Sequence, residues 1–232
     1  MSAVLPMTPS ARSASALPRA LPRMLVVLDV DSTLIEDEAI ELLAAEAGSL
    51  DEVAAVTERA MRGELDFAES LRSRVATLAG LPESVHAVVG ERIRVTAGAE
   101  RMIAGLHAAG HVVAVVSGGF HELLDPLAER LGLDRWRANR LEVADGRLTG
   151  RVTGPVIDAA AKRAAVEEWS AQLGIPLARV VAVGDGANDL EMMAVAGLSV
   201  AFDAKPAVRD RADVCLDRRD LAQVLALLGL PR

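Results

Sequence analysis

Residues 24–38 read MLVVLDVDSTLIEDE. The first part of this stretch, residues 24–30, is rich in β-branched residues, which is typical of a strand buried on both faces of a parallel sheet. It continues directly into an acidic segment. From about residue 98 onward, strand-like and helix-like segments alternate, the pattern of a doubly wound sheet. We therefore predict an α/β fold with a doubly wound, mostly parallel sheet, whose first strand leads into this acidic segment.

The stretch between the first strand and the alternating region has a different pattern. Residues 37–95 contain no strand-like run, and their spacing predicts several helices broken at glycines. The simplest organisation is an α/β core of residues 24–36 and 96–232, with residues 37–95 inserted as a helical cap. Residues 1–23 contain no acidic residue and are rich in Ser, Ala, Pro and Arg, which predicts a disordered tail. This segment also resembles an organelle transit peptide, although four prolines interrupt any long amphipathic helix.

Composition excludes several classes of function. The formal net charge of −8 opposes binding to nucleic acid, which normally requires clustered positive charge. No apolar run approaches the roughly 20 residues needed to cross a bilayer, so we expect no membrane partner. The single cysteine, Cys215, rules out an intrachain disulfide and fits a reducing compartment, so we expect a cytoplasmic protein. Because Cys215 lies in the apolar run ADVCL, we expect it to be buried.

Polar and glycine-rich segments follow three of the predicted strands. They are the segments 29–33 (DVDST), 117–119 (SGG) and 184–189 (GDGAND). Open α/β sheets bind ligands beyond the carboxyl ends of their strands, so these segments are expected to meet in one crevice. Four carboxylates there require a cation among them, and hard oxygen ligands favour Mg²⁺. An EF-hand calcium loop counted from Asp29 does not fit, because Leu34 stands where that loop needs glycine and Ile40 where it needs its bidentate glutamate. The sequence also lacks the motif of a nucleotide-binding P-loop.

Two basic residues occupy unusual positions. Lys162 is one of only two lysines, and helical periodicity places it close to the apolar face of its predicted helix. Its alternative role is a surface pair with Asp158. Arg74 lies in the apolar stripe of a cap helix near residues 67–78, whereas Arg72 lies off that stripe. A buried arginine needs an anionic partner, either a carboxylate of the cap or the carboxylate of a substrate.

Taken in order and spacing, the segments DVDST, SGGF, Lys162 and GDGAND resemble the haloacid dehalogenase superfamily of phosphotransferases. The segments DVDSTLIEDE, AMRGELDFAESLRSRV and VVSGGF resemble its phosphoserine phosphatases in particular. The resemblance implies that Asp29 is a nucleophile that forms an aspartyl-phosphate and that Asp31 is the general acid and base. It further implies Mg²⁺ bound by Asp29, the backbone carbonyl of Asp31 and Asp185, with Asp189 supporting the site. The residues implied to hold the phosphoryl group are Ser117, Gly118, Lys162 and Asn188.

The resemblance also implies a substrate pocket in the cap. Arg74 would bind a substrate carboxylate and Glu38 an ammonium group, although Glu36 and Asp37 compete for that role on sequence alone. Met61 and Phe67 would line the pocket. We therefore expect a Mg²⁺-dependent enzyme that hydrolyses the small molecule O-phospho-L-serine in serine biosynthesis.

Two other functions and the oligomeric state stay open at this point. The first alternative is a related phosphatase or phosphotransferase acting on another small phosphomonoester or acceptor, such as homoserine. The second is a phosphoaccepting signalling module, which would have no obvious use for Asp31 or for the cap. The sequence does not determine the oligomeric state, and a homodimer is one option.

Overall fold

The computed structural model describes residues 22–61 and 64–231, and within these residues seven strands form one sheet. The strands are Leu25–Leu28 (β1), Val112–Phe120 (β2), Arg135–Ala144 (β3), Arg147–Thr153 (β4), Val180–Gly184 (β5), Leu198–Phe202 (β6) and Val214–Leu216 (β7). Their order is β4-β3-β2-β1-β5-β6-β7, and every neighbouring pair is parallel except β3 and β4. The predicted α/β fold with a mostly parallel sheet is confirmed.

β1 occupies the centre of this sheet. Leu25 is aligned with Val112 of β2 on one side and with Val180 of β5 on the other. Strands β2 to β4 extend the sheet in one direction and β5 to β7 in the other, so the winding reverses at β1. A crevice opens at such a reversal beyond the carboxyl ends of the strands. The residues that follow β1 and β5 therefore lie side by side at its mouth.

Helices cover both faces of the sheet. The helices in the described residues are Ala39–Ala47 (α1), Leu50–Met61 (α2), Phe67–Ala76 (α3), Val85–Gly90 (α4), Ala99–Ala108 (α5), His121–Leu131 (α6), Ala159–Leu173 (α7), Leu190–Val195 (α8), Pro206–Arg209 (α9) and Gln223–Leu227 (α10). Alternate residues of β1 point to opposite faces, as the pleat of a strand requires. Val26 and Leu28 pack with α5, α6 and α10, and Leu25 and Val27 pack with α7, α8 and α9.

Helices α1 to α4 lie between β1 and α5 and share a separate apolar cluster. This cluster also includes Leu141 and Leu148 from the β3–β4 hairpin. The main chain joins the two parts, because Gly80 N–H donates to Leu148 O at 2.8 Å and Leu148 N–H donates to Leu81 O at 2.9 Å. The hairpin thus packs against the helical block. The division into a 37–95 cap and a 24–36 plus 96–232 core stays a prediction, and residues 1–21 of the predicted tail lie outside the described part.

One local expectation differs from the structure. Cys215 is exposed, so the expectation that it is buried was wrong. It lies in the edge strand β7, where successive side chains alternate between faces and Leu216 takes the buried position. No helix in residues 22–61 or 64–231 combines the length and apolarity needed to cross a membrane.

Candidate active site

The segment after β1 folds into a single π-type turn, Val30–Leu34. Asp29 caps this turn, with its Oδ1 accepting from Val30 N–H at 2.7 Å. Ser32 adopts a left-handed backbone with φ 56°. The turn directs the carboxylate of Asp31 into the crevice, where its Oδ1 accepts from Ala39 N–H at 2.7 Å and its Oδ2 from the Ser117 hydroxyl at 3.1 Å. Two carboxylates separated by one residue are thus held at the end of one strand.

Lys162 lies between two carboxylates. Its Nζ is 2.7 Å from Asp29 Oδ1 and 2.8 Å from Asp189 Oδ1, and the residue is fully buried. Burial opposes the charged amine, but Asp189 and Asp29 outweigh it and raise the pKa of Lys162 above its usual value. The expected inward orientation of Lys162 is confirmed. Asp158 is instead the N-cap of α7, with its Oδ1 accepting from Ala161 N–H at 2.8 Å.

The acidic residues of the crevice carry more negative charge than Lys162 neutralises. Burial, together with the carboxylate of Asp189, raises the pKa of Asp29 well above its usual range and that of Asp185 to about 6. Burial and the nearby Glu38 raise the pKa of Asp31 to about 6. Each of these shifts means that the ionised carboxyl is destabilised in its present surroundings. An additional cation between Asp29 and Asp185 would offset this destabilisation at those two carboxylates.

Three of these carboxylates lie close enough together to hold one metal ion. Asp29, Asp185 and Asp189 each offer an oxygen, and the three oxygens lie within 4.8 Å of one another. Within the described part of the chain, Val30 and Lys162 contact Asp29 at Oδ1, and Thr33 donates to Asp185 Oδ1 at 3.1 Å. Both oxygens of Asp189 are engaged: Oδ1 contacts Lys162, and Oδ2 accepts from the backbone N–H groups of Asp185 and Gly186. This set of hard oxygen donors fits a divalent cation such as Mg²⁺.

The Ser117-Gly118-Gly119 segment ends the neighbouring strand. It is an extended continuation of β2, and α6 begins only at His121. Ser117 Oγ accepts from Gly119 N–H at 2.7 Å while donating to Asp31. A Cβ at Gly119 would lie 2.9 Å from Asp31 Oδ2. Glycine is therefore required here by the close approach of Asp31 to the strand.

Two further predicted site residues lie beside this segment and beside the β5 loop. A Cβ at Gly118 would lie 3.0 Å from Cζ of Phe67, so Phe67 of the helical block covers Gly118. Asn188 is half-buried in the short 3₁₀ turn after β5, and its Oδ1 fills the space that a side chain at Gly186 would need. Met61 ends α2, and its side chain lies outside the described residues.

The three adjacent acidic residues at 36–38 do not all have the same partner. Glu36 and Asp37 both form ion pairs with Arg94, at 3.2 and 2.7 Å. Glu38 instead accepts from the Ser32 hydroxyl at 2.7 Å and contributes to the raised pKa of Asp31 and of Asp185. Of the three, Glu38 is therefore the carboxylate placed at the crevice.

Arg74 is a half-buried residue of α3 whose Nε donates to Ser70 O at 3.3 Å. Burial lowers the pKa of Arg74, while the charges of Glu38 and Asp31 act in the opposite direction. Among the described residues no ion pair within 4.0 Å involves Arg74, so the internal salt bridge considered from the sequence does not form there. Arg72, two positions earlier, is exposed. Arg74 thus faces acidic groups of the crevice without being neutralised by one.

Sequence reasoning missed Asn139, which fixes the main chain beside the site. Asn139 is 1% exposed; its Nδ2 donates to Gly118 O at 2.8 Å and its Oδ1 accepts from Ile157 N–H at 2.9 Å. It thereby ties the end of β2 to the segment that leads into α7. The available signal was an asparagine within a strand, where this residue type is depleted.

We expect Asn139→Ala to destabilise the fold by about 2–4 kcal/mol, because it leaves two buried backbone groups without partners. Urea unfolding followed by circular dichroism measures this loss. The matched control is Arg140→Ala, which removes an exposed side chain from the next position of β3 and should change stability by less than about 1 kcal/mol. Equal effects of the two substitutions would show that the Asn139 hydrogen bonds contribute nothing specific.

Comparison with known proteins agrees with this geometry. The family model for haloacid dehalogenase-like hydrolases matches residues 26–194. A phosphoserine phosphatase of Streptococcus thermophilus is 50% identical over 204 residues, which cover 88% of this chain and 95% of that protein. The chain belongs to the phosphoserine phosphatase family.

Two further comparisons describe this member of the phosphoserine phosphatase family. A phosphoserine phosphatase of Streptomyces coelicolor is 56% identical over 208 residues, covering 90% of this chain but only 51% of that relative. The chain thus spans about half the length of this curated relative. A solved structure described as a phospho-aspartyl intermediate analogue of phosphoserine phosphatase is 46% identical, with a TM-score of 0.83, over 88% of this chain and 98% of that one.

Proposed function

We propose that this chain is a Mg²⁺-dependent phosphatase that hydrolyses O-phospho-L-serine to L-serine and phosphate through an aspartyl-phosphate at Asp29. The observation that carries the proposal is the placement of Glu38 and Arg74, two opposite charges that face the acidic crevice without forming an ion pair with each other. An amino acid presents the complementary pair of charges. Family relatives with this activity support the assignment. In this role the enzyme would act in serine biosynthesis in the cytoplasm.

Asp29 is the proposed nucleophile. Lys162 and Val30 N–H hold its Oδ1, which leaves Oδ2 to form the new bond to phosphorus as the bond to the serine oxygen breaks. Lys162 would also place its positive charge close to the transferring phosphoryl group. This charge reduces the repulsion between the Asp29 carboxylate and the phosphate. Among the described residues, Lys162 is the one basic side chain within ion-pair distance of Asp29.

The fit of the carboxylate set to Mg²⁺ defines the proposed ligands. Asp29, the backbone carbonyl of Asp31 and Asp185 would hold the ion. Asp189 would support the site from behind, since its two oxygens already orient Lys162 and the loop after β5. When bound, Mg²⁺ supplies the positive charge that offsets the phosphoryl oxygens and the excess of carboxylates.

Asp31 is the proposed acid and base. Because burial and Glu38 raise its pKa to about 6, a useful fraction of the carboxyl is protonated near neutral pH, as proton transfer in both directions requires. Protonated Asp31 gives its proton to the departing serine alkoxide. The resulting carboxylate then takes a proton from the water that attacks phosphorus and releases Asp29.

The remaining residues have proposed binding roles. Glu38 would hold the ammonium group of the substrate and Arg74 its carboxylate, for which the planar guanidinium is suited. Phe67 and Met61 would line the serine pocket. The residues proposed to hold the phosphoryl group are Ser117, Gly118, Lys162 and Asn188.

A substrate panel tests the function directly. Phosphate release is measured with and without Mg²⁺ for O-phospho-L-serine, phosphoethanolamine, a phosphorylated sugar and an aryl phosphate. We expect kcat/KM to be highest for O-phospho-L-serine by at least about 100-fold, since only it offers both charges. Equal rates across the panel, or a preference for the sugar phosphate, would contradict the proposal.

Asp185 provides the test of the metal site. We expect Asp185→Asn to raise the Mg²⁺ concentration for half-maximal activity by more than about 10-fold, the loss seen even for outer metal partners. Asp210→Asn is the control, because Asp210 is exposed beyond the end of α9. Asp158 is unsuitable as a control, because it caps the helix that carries Lys162. Full activity of the unchanged chain in excess chelator would contradict the metal requirement.

A further inference from the structure

Arg219 joins two loops that border the active-site crevice. Its Nη2 donates to the backbone carbonyl of Ser32 at 2.9 Å, and its Nη1 pairs with Asp203 Oδ2 at 3.1 Å. Ser32 lies in the turn after β1, and Asp203 follows β6. A single side chain from near the C-terminal end of the described chain thus contacts loops on both sides of β5.

Both residues contacted by Arg219 have an uncommon backbone conformation. Ser32 has φ 56° and Asp203 has φ 45°, and in the described part of the chain only Asp145 is a further non-glycine residue with positive φ. Residues other than glycine adopt positive φ at an energetic cost, and this conformation persists where surrounding contacts stabilise it. For Ser32, the N–H donates to Asp37 O, the hydroxyl donates to Glu38, and the carbonyl accepts from Arg219.

The conformation of Ser32 determines where its neighbours point. It lies between Asp31, whose carboxylate contacts Ser117, and Thr33, whose hydroxyl contacts Asp185. On the other loop, Asp203 precedes Lys205 by two residues, and Lys205 N–H donates to Asp185 O at 3.1 Å. A change at Arg219 would therefore reach Asp31 and Asp185 through the main chain without touching either of them.

We propose that Arg219 is a positioning residue, which holds the left-handed turn at Ser32 so that Asp31 is aligned with the phosphoryl group. This inference deepens the proposed function and rests on it. Arginine suits the task because its fork presents separate N–H groups to two acceptors, which the single ammonium of lysine reproduces poorly. The adjacent Arg218 is a contrast, because its side chain is 67% exposed and, among the described residues, its one ion pair is with Asp220, at 3.9 Å.

The test compares Arg219→Ala with Arg218→Ala in the full chain. We expect Arg219→Ala to lower kcat for O-phospho-L-serine by roughly 10- to 100-fold, the effect of a small misplacement of reacting groups. KM should change by less than about 3-fold, because the groups proposed to bind substrate remain in place. Arg218→Ala should stay within about 2-fold of the unchanged protein. Arg219→Lys should give an intermediate kcat, and it decides the question if Arg219→Ala does not fold.

A second background separates positioning from a general loss of structure. Glycine adopts positive φ without the energetic cost that serine has. In the Ser32→Gly background, Arg219→Ala should therefore lower kcat by less than about 3-fold. Such non-additivity is expected of two residues that act through each other. An unchanged penalty in that background would overturn the proposal. So would a rise in KM at constant kcat, or equal losses for Arg218→Ala and Arg219→Ala.

The same variants measured with an aryl phosphate keep this inference distinct from the proposed substrate. Alignment of Asp31 and Asp29 matters for any phosphomonoester, so the kcat loss of Arg219→Ala should persist with the aryl phosphate. If the unchanged chain hydrolyses the aryl phosphate but not O-phospho-L-serine, the substrate proposal fails while Arg219 is still tested. If Arg219→Ala leaves aryl phosphate turnover unchanged, the positioning proposal fails by itself.

Discussion

We expect Asp29→Asn to lower kcat for O-phospho-L-serine by on the order of 10⁴-fold or more, as for loss of a nucleophile elsewhere. An amide in place of the carboxylate has no anionic oxygen to attack phosphorus and form the aspartyl-phosphate. The nearest carboxylates cannot substitute, because Asp189 has both oxygens engaged and Asp31 is held by Ala39 and Ser117. Phosphate release measures the loss of turnover, and acid quenching with labelled substrate measures the loss of the aspartyl-phosphate.

The fold of Asp29→Asn should be intact in the same experiment. The amide oxygen can still accept from Lys162 and Val30, and Lys162 keeps its ion pair with Asp189. Burial and the neighbouring carboxylates raise the pKa of Asp29, so its charge is unfavourable in the metal-free protein. The variant should therefore melt, without divalent cations, at a temperature no lower than that of the unchanged chain.

Asp31→Asn is the informative companion to this variant. It retains the nucleophile, so with an aryl phosphate, whose leaving group needs little protonation, it should still form the labelled phosphoenzyme and then hydrolyse it slowly. Loss of label only in Asp29→Asn assigns the covalent step to Asp29. A phosphoenzyme that survives Asp29→Asn would refute the mechanism.

The features that the sequence predicted correctly depend on local pattern. The apolar run before Asp29 indicated the buried strand β1, and the helical period placed Lys162 on the inner face of α7, where it is fully buried. The acidic and glycine-rich segments meet because parallel strands end at the same edge of a sheet. These inferences needed only residues within one element together with a general rule of topology.

The features that sequence reasoning missed depend on contacts between distant segments. Glu36, Asp37 and Glu38 are equivalent as sequence, and only the position of Arg94 shows that the first two are neutralised. Asn139 has a purpose only when Gly118 and Ile157 are seen beside it. The same limitation explains the error at Cys215, since its apolar neighbours do not reveal that β7 is a three-residue edge strand.

The substrate assignment is tested by Arg74→Ala, which should lower kcat/KM for O-phospho-L-serine by about 30- to 1,000-fold. This range corresponds to about 2–4 kcal/mol, as for loss of one partner of a desolvated charge pair. The structure supports a large effect, because Arg74 is half-buried, faces Glu38 and Asp31, and has no ion pair within 4.0 Å among the described residues.

Phosphoethanolamine provides the matched substrate for the Arg74 experiment, because it keeps the phosphate and the ammonium group and lacks only the carboxylate. Arg74→Ala should change its kcat/KM by less than about 3-fold, since the contact removed is one that this substrate never makes. Arg72→Ala is the control on the same helix, and its exposed side chain should leave both substrates within about 2-fold. Equal losses for the two substrates would mean that Arg74 maintains the helical block instead of binding a carboxylate, and the pairing of Glu38 and Arg74 would then no longer argue for an amino acid substrate.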